Sequence, residues 1–254
     1  MKFFCFLFVV TLVFSFPSYG GNSNNSLQIR QIAVLSDLFD QLIKQQINSE
    51  MAIEKSVNAL LTSYPEKIDM VLNIAISKYP QEYKQIICGA LRAEPALASD
   101  VIDIVLRSNI ASTEDIISFT VNEEPAYASE IVNAAVSYNP LDIENIVRVA
   151  ITTEPIMAKH VVDSTMLSYP EKVLDILSVA IKELPDQVIC FVRDTLRISP
   201  DNTDVVSVAV NSSSKDKARE IITTAIKSGI SQETATAAAI AGGAKVEDIA
   251  KTQD

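Results

Sequence analysis

The chain has 254 residues, 48% of them hydrophobic and 21% charged, which supplies a folded core and excludes wholesale disorder. Its 21 Lys and Arg stand against 32 Asp and Glu, and the net charge of −11 has the wrong sign for neutralising nucleic-acid phosphates. One histidine, no tryptophan, six glycines and three cysteines leave few ingredients for metal, nucleophile or phosphate-loop chemistry.

In chain order, the first feature is Lys2 followed by an apolar run from Phe3 to Phe16 and then Pro17-Ser18-Tyr19-Gly20. A basic start, a short apolar stretch and small residues at the −3 and −1 sites of a cut after Gly20 predict a secretory signal peptide over residues 1–20. The run is shorter than the roughly 17 to 25 residues that cross a bilayer, and Cys5 lies inside it, so Cys5 is expected to leave with the peptide. No later segment is long and apolar enough to span. Export to the periplasm or the extracellular space is therefore expected, with no integral membrane segment after cleavage. Residues 21–27 read as a flexible leader before a single helical repeat domain over 28–254.

Beyond the leader every proline sits in one phase: Pro65, Pro80, Pro95, Pro125, Pro140, Pro155, Pro170, Pro185 and Pro200, with Ile110 in the one missing place. This is a fifteen-residue repeat, and it carries most of what the sequence says. Counted from each proline, the apolar positions are mostly 4, 7, 8, 11 and 12, as in Ile143, Ile146, Val147, Ala150 and Ile151. Such spacing places all five on one face of an α-helix, where a strand would need alternation. Val205 to Val210 has some strand character, with the apolar register slipped by one.

Proline suits the first helical position, because its missing N–H would be unpaired there. Acids crowd the first turn (Glu66, Glu82, Asp142, Glu171, Asp186, Asp201), where they complement the positive end of the helix dipole. Asn109, Asn139, Ser199 and Ser214 stand where N-caps are expected. Helices of about 12 residues are marginal alone, and the short turns between them make successive helices antiparallel. The expected fold is all-α: a right-handed α-solenoid of short antiparallel helices, with 15 residues per helix and 30 per hairpin. The thirty-residue alternation is visible in Ala98, Ala128 and Ala158 at position 4, against Thr113, Ile143 and Val173 in the units between. Residues 28–49 serve as the N-terminal cap, 50–229 as the repeats and 230–254 as the C-terminal cap.

The array resembles α-solenoids as a class, the HEAT and armadillo arrays among them, and the alanine-rich, proline-started single-helix repeats of exported bacterial proteins. The resemblance covers Glu50 to Gly229 and implies a protein-binding or scaffolding surface without naming the partner.

No catalytic, metal or cofactor motif is present, and His160, the one histidine, reads as a solvated surface residue. Cys88 and Cys190 lie almost seven units apart, far beyond disulfide reach along a stack of helices. Two half-buried thiols or a bridge between chains are the alternatives. Glu94, Glu124 and Glu154 recur at the thirty-residue step, with Glu123 beside one of them, so they line one rim. About 10 Å between neighbours is too wide for a calcium cage and leaves a solvated acidic edge or a ridge for a basic partner. The opposite rim collects Tyr79, Tyr138 and Tyr169, as interface aromatics or as residues packed locally. The expectation is an exported, non-enzymatic protein acting as an interaction or scaffolding surface. The alternative is a structural protein that self-associates end to end in the cell envelope or matrix.

Overall fold

Eight of the nine prolines of the fifteen-residue frame open a three-residue 3₁₀ turn, and the α-helix begins after it; Pro200 lies in an ordinary turn instead. In the computed structural model, which describes residues 23–46 and 51–250, such turns stand at Pro65–Lys67, Pro80–Glu82, Pro95–Leu97, Pro125–Tyr127, Pro140–Asp142, Pro155–Met157, Pro170–Lys172 and Pro185–Gln187. The reason is local. Proline disfavours helical backbone in the residue before it, so Tyr64 at φ −141° and Glu154 at φ −132° leave the helix. The third residue of the turn then donates its N–H to that pre-proline carbonyl, as Lys67 does to Tyr64 at 3.0 Å. One unit is therefore a 3₁₀ turn, an eleven-residue α-helix and one extended residue.

The helices are α1 (Ser23–Gln45), α2 (Ala52–Ser63), α3 (Ile68–Lys78), α4 (Tyr83–Ala93), α5 (Ala98–Ser108), α6 (Thr113–Glu123), α7 (Ala128–Tyr138) and α8 (Ile143–Thr153). They continue as α9 (Ala158–Ser168), α10 (Val173–Glu183), α11 (Val188–Ile198), α12 (Asp204–Ser212), α13 (Ala218–Lys227), α14 (Gln232–Ala241) and α15 (Val246–Ala250). The described residues hold no strand. Each helix packs on its chain neighbours and on the helix two places along, which sorts odd-numbered and even-numbered helices into two layers. The protein is an all-α solenoid, and from α5 to α10 the alternation of alanine with other residues at position 4 is the alternation of those layers, which α3 (Ile68) and α11 (Val188) do not follow. No helix of the described residues is long and apolar enough to cross a membrane. The signal-peptide segment and Cys5 lie outside the described residues.

The buried set follows the predicted positions. In α8, Ile143, Ile146, Val147, Ala150 and Ile151 are all buried, and one continuous apolar core runs from Leu35 to Ala244. Position 11 is mostly alanine (Ala75, Ala90, Ala135, Ala150, Ala180), with Val105 in α5 and Val210 in α12. Where it is threonine (Thr120, Thr165, Thr195), the buried hydroxyl donates to the carbonyl four residues back at 2.7 Å and leaves no polar group unpaired.

Four local expectations are corrected. Helix α1 starts at Ser23, inside the segment expected to be a flexible leader; Leu27 lies two helical turns before Leu35 on the same face and is itself exposed. Asn109 is not an N-cap; it closes α5 in the left-handed region at φ 52°, and Ser112 caps α6 by accepting from Asp115 N–H at 3.1 Å. Asn139 and Ser214 hold the residue before their 3₁₀ turns without a side-chain cap, and Thr203 precedes α12 where Ser199 was expected to cap. The strand-like Val205–Val210 run is helix α12, which buries Val205, Val206, Ala209 and Val210 one position early.

Candidate interaction surface

The rim carboxylates owe their position to the pre-proline residue. The N–H groups of Glu94, Glu124 and Glu154 close helices α4, α6 and α8 by donating to Ala90, Thr120 and Ala150. Their carbonyls accept from Leu97, Tyr127 and Met157, each at 3.1 Å. With the backbone committed on both sides, the side chains lie at the surface: Glu94 is exposed, and Glu124 and Glu154 are half-buried. All three belong to even-numbered helices, so they share one rim in successive hairpins. Across the equivalent stretches 92–97, 122–127 and 152–157 the one base is Arg92, which pairs with the buried Glu54.

They are not equivalent. Glu154 accepts from the Ile156 N–H at 3.3 Å, whereas Glu94 and Glu124 make no such cap. Glu123 turns from the rim toward α4, where its Oε2 accepts the Cys88 thiol at 3.5 Å. Burial first, and then the charge of Glu123, push the Cys88 thiol up to about 12. Ile156, two residues beyond Glu154, is 86% exposed, so this end of the rim pairs an acid with an apolar tip.

The tyrosines of the opposite rim do not act together. The Tyr79 ring lies 6.1 Å from that of Phe39 and fastens α3 to α1. The Tyr169 hydroxyl donates to the Asn133 carbonyl at 3.2 Å and lies 3.0 Å from the Ser137 hydroxyl, tying the end of α9 to α7. Tyr138 alone of the three is classed as exposed, so two of the three pack locally.

Cys88 and Cys190 are both half-buried free thiols, on α4 and α11. Cys190 is raised by burial first and then by its hydrogen bond to Asp194. His160 is exposed on α9. Among the described residues no three His, Cys, Asp or Glu side chains converge as metal ligands would.

Sequence reasoning missed three polar contacts. Lys159 reaches the buried Asp194 at 2.6 Å, with Arg197 at 3.3 Å and Arg193 at 3.5 Å from the same carboxylate. Arg92 pairs with the buried Glu54. The Lys84 ammonium sits 5.9 Å from the Tyr83 ring and 5.2 Å from the Phe119 ring. One signal was available for the first: Asp194 stands at position 10, where Ile74 and Ile104 stand in α3 and α5 and are buried. Comparison with known protein families, curated proteins and solved structures finds no match.

Proposed function

We propose that this is an exported, non-enzymatic helical-repeat protein that presents the acidic rim as a docking or scaffolding surface for a basic protein partner. The observation that carries the reading is the in-register recurrence of Glu94, Glu124 and Glu154 over three stretches whose one base, Arg92, is paired with Glu54. The repeat holds these carboxylates about 10 Å apart, a spacing suited to several cationic side chains of one partner and too wide for a single cation. Ile156 supplies an apolar contact at one end. Export rests on the Lys2, Phe3–Phe16 and Ser18–Gly20 pattern, which gives a periplasmic or extracellular location.

Site-specific photocrosslinking in the native host tests this. A crosslinker at Glu124 should trap a discrete protein partner, and one at His160 on the odd layer should not. Equal labelling from both places, or specific substrate turnover abolished by one surface substitution, would overturn the reading.

A further inference from the structure

Three surface positions in the middle of the array depart from their own repeat. At position 2 of the units that begin at Pro80, Pro140, Pro170 and Pro200 and at Ile110, Leu141 stands among Gln81, Ala111, Glu171 and Asp201, and it is 97% exposed. At position 13 of the odd-numbered helices, Leu167 is 65% exposed where Ser77, Arg107, Ser137, Arg197 and Lys227 stand in the other units. At position 14 of the same helices Tyr138 is 45% exposed, against Lys78, Ser108, Ser168 and Ser228, while Ile198 is half-buried on the core. One exposed leucine is ordinary on a protein surface. These three fall together. Tyr138 and Leu141 flank the turn from α7 to α8, and Leu167 lies on the last turn of α9, which packs on α7. The Tyr169 hydroxyl, bonded to the Asn133 carbonyl and 3.0 Å from the Ser137 hydroxyl, holds those two helix ends side by side. Grouped apolar tips of this kind mark an interaction surface.

The surroundings of the patch decide what fits it. The backbone there is committed: the Asn139 and Tyr169 N–H groups donate to Ala135 and Thr165, and their carbonyls accept from Asp142 and Lys172 at 3.1 and 2.9 Å. A strand has no edge to join, so recognition runs through side chains, as it does for the apolar face of an amphipathic helix. The charge is one-sided. The four equivalent stretches of this rim, 107–115, 137–145, 167–175 and 197–205, hold eight Asp and Glu against three bases. Each base is already paired, Arg107 with Asp103, Lys172 with Asp175 and Arg197 with Asp194. A second copy of this chain, at net charge −11, or an anionic lipid surface would be repelled from such a rim.

We infer that the Tyr138, Leu141 and Leu167 patch docks a basic amphipathic helix of another protein. The apolar face of that helix covers the three side chains, and its Lys and Arg residues meet Asp142 and Glu171 beside them. Apolar cover supplies the affinity, and the acid surround selects a cationic partner. The patch lies on the rim opposite Glu94, Glu124 and Glu154, so it stands apart from the acidic-rim reading.

Fluorescence anisotropy of the purified protein with a labelled model peptide tests the inference. The probe is a helix-forming Leu/Lys peptide with its leucines on one face; a Leu/Glu peptide of the same pattern and phosphatidylglycerol vesicles are the comparisons. The Leu/Lys peptide should bind, and a photoreactive leucine in it should crosslink to residues 137–142 or 167–172. Leu141→Ser combined with Leu167→Ser changes exposed residues, so it should keep its helical circular dichroism and weaken binding at least tenfold, or about 1.4 kcal/mol. Asp142→Asn with Glu171→Gln should weaken binding and reduce its salt dependence. Ile156→Ser, on the other rim, should leave the affinity unchanged. Absence of binding, equal binding of the Leu/Glu peptide, preferential binding to the vesicles, or full affinity in the double leucine variant would overturn the inference. A loss with Ile156→Ser in place of the leucine variant would move the peptide to the acidic rim, which overturns this inference and leaves the rim reading standing.

Discussion

Lys159 on α9 and Asp194 on α11 lie 2.6 Å apart across one layer, and the carboxylate occupies a place that aliphatic side chains fill in α3 and α5. A buried charge left alone is costly, while a paired one is close to neutral against a hydrophobic replacement of similar size. Lys159→Met should cost about 1–2 kcal/mol, less than a fully buried pair because Lys159 is partly exposed and Arg193 and Arg197 remain. Adding Asp194→Leu to Lys159→Met should recover that loss. Urea unfolding of both single variants and the double variant measures the cycle, and additive losses would contradict the pairing.

The same carboxylate sets an acid limit. Burial pushes Asp194 up, but the hydrogen bonds from Lys159 and Cys190 and the charges of Lys159 and Arg193 outweigh it, leaving Asp194 below its ordinary 3.8. A carboxyl held low in the folded state contributes stability that is present above its unfolded value and lost as pH falls through its folded value. The contribution is therefore constant at neutral pH and fades only below about pH 4. Asp194→Asn should flatten that part of the stability curve, as thermal unfolding between pH 3 and 6 will show.

How much of this was legible depends on whether a residue's role is set by the repeat. Ile146 was assigned to the core by its place in the fifteen-residue frame, and it is fully buried. The layers were readable from Ala98, Ala128 and Ala158. The 3₁₀ turns were not, because proline at the first position of either helix type looks the same in sequence. Glu123 was placed on the rim with Glu124, yet a neighbour 100° round the helix points elsewhere, and Cys88 lies 35 residues away. Contacts of that kind belong to pairs of units, and a pattern within one unit does not contain them.

The frame predicts opposite outcomes at two positions. Ile146→Asp puts an unpaired charge in the continuous core and should cost more than about 4 kcal/mol, loosening the helices on either side. Glu124→Ala removes a side chain that makes no cap and should change stability by less than about 0.5 kcal/mol. Glu154→Ala, which loses the bond from the Ile156 N–H, should fall between them at about 0.5–1 kcal/mol. Hydrogen exchange resolved by helix distinguishes the local loss from the spreading one.

Cys88 should be a slow thiol. With its ionisation pushed up to about 12, the fraction present as thiolate at pH 8 is far below that of a free cysteine, and thiolate is the species that alkylates. Burial is the largest cause and the Glu123 carboxylate the next, so Glu123→Gln removes a repulsive charge and should speed iodoacetamide labelling of Cys88. Cys190, which has no contact with Glu123, should be unaffected and serves as the internal control. Mass spectrometry of the labelled peptides gives both rates, and equal acceleration at the two sites would mean that the substitution had loosened the fold.

Gly89 on α4 decides how closely the first two even-numbered helices approach. A Cβ there would stand 2.5 Å from the Glu54 carbonyl oxygen and 2.9 Å from Val57 Cβ on α2, so the obstruction is backbone and cannot rotate away. Alanine favours a helix over glycine by about 1 kcal/mol, and overpacking costs about 1–3 kcal/mol. The contact distances place Gly89 at the upper end of that range, so Gly89→Ala should be destabilising despite its better propensity. Gly89→Val should be worse, because it adds bulk against the same carbonyl. The α2–α4 contact also holds Glu54 beside Arg92, so the substitution should release that pair and lower the salt sensitivity of unfolding by no more than Arg92→Ala does. Thermal melts of the two glycine variants at low and high salt separate packing loss from charge loss, and a more stable Gly89→Ala would show that the helices do not meet there.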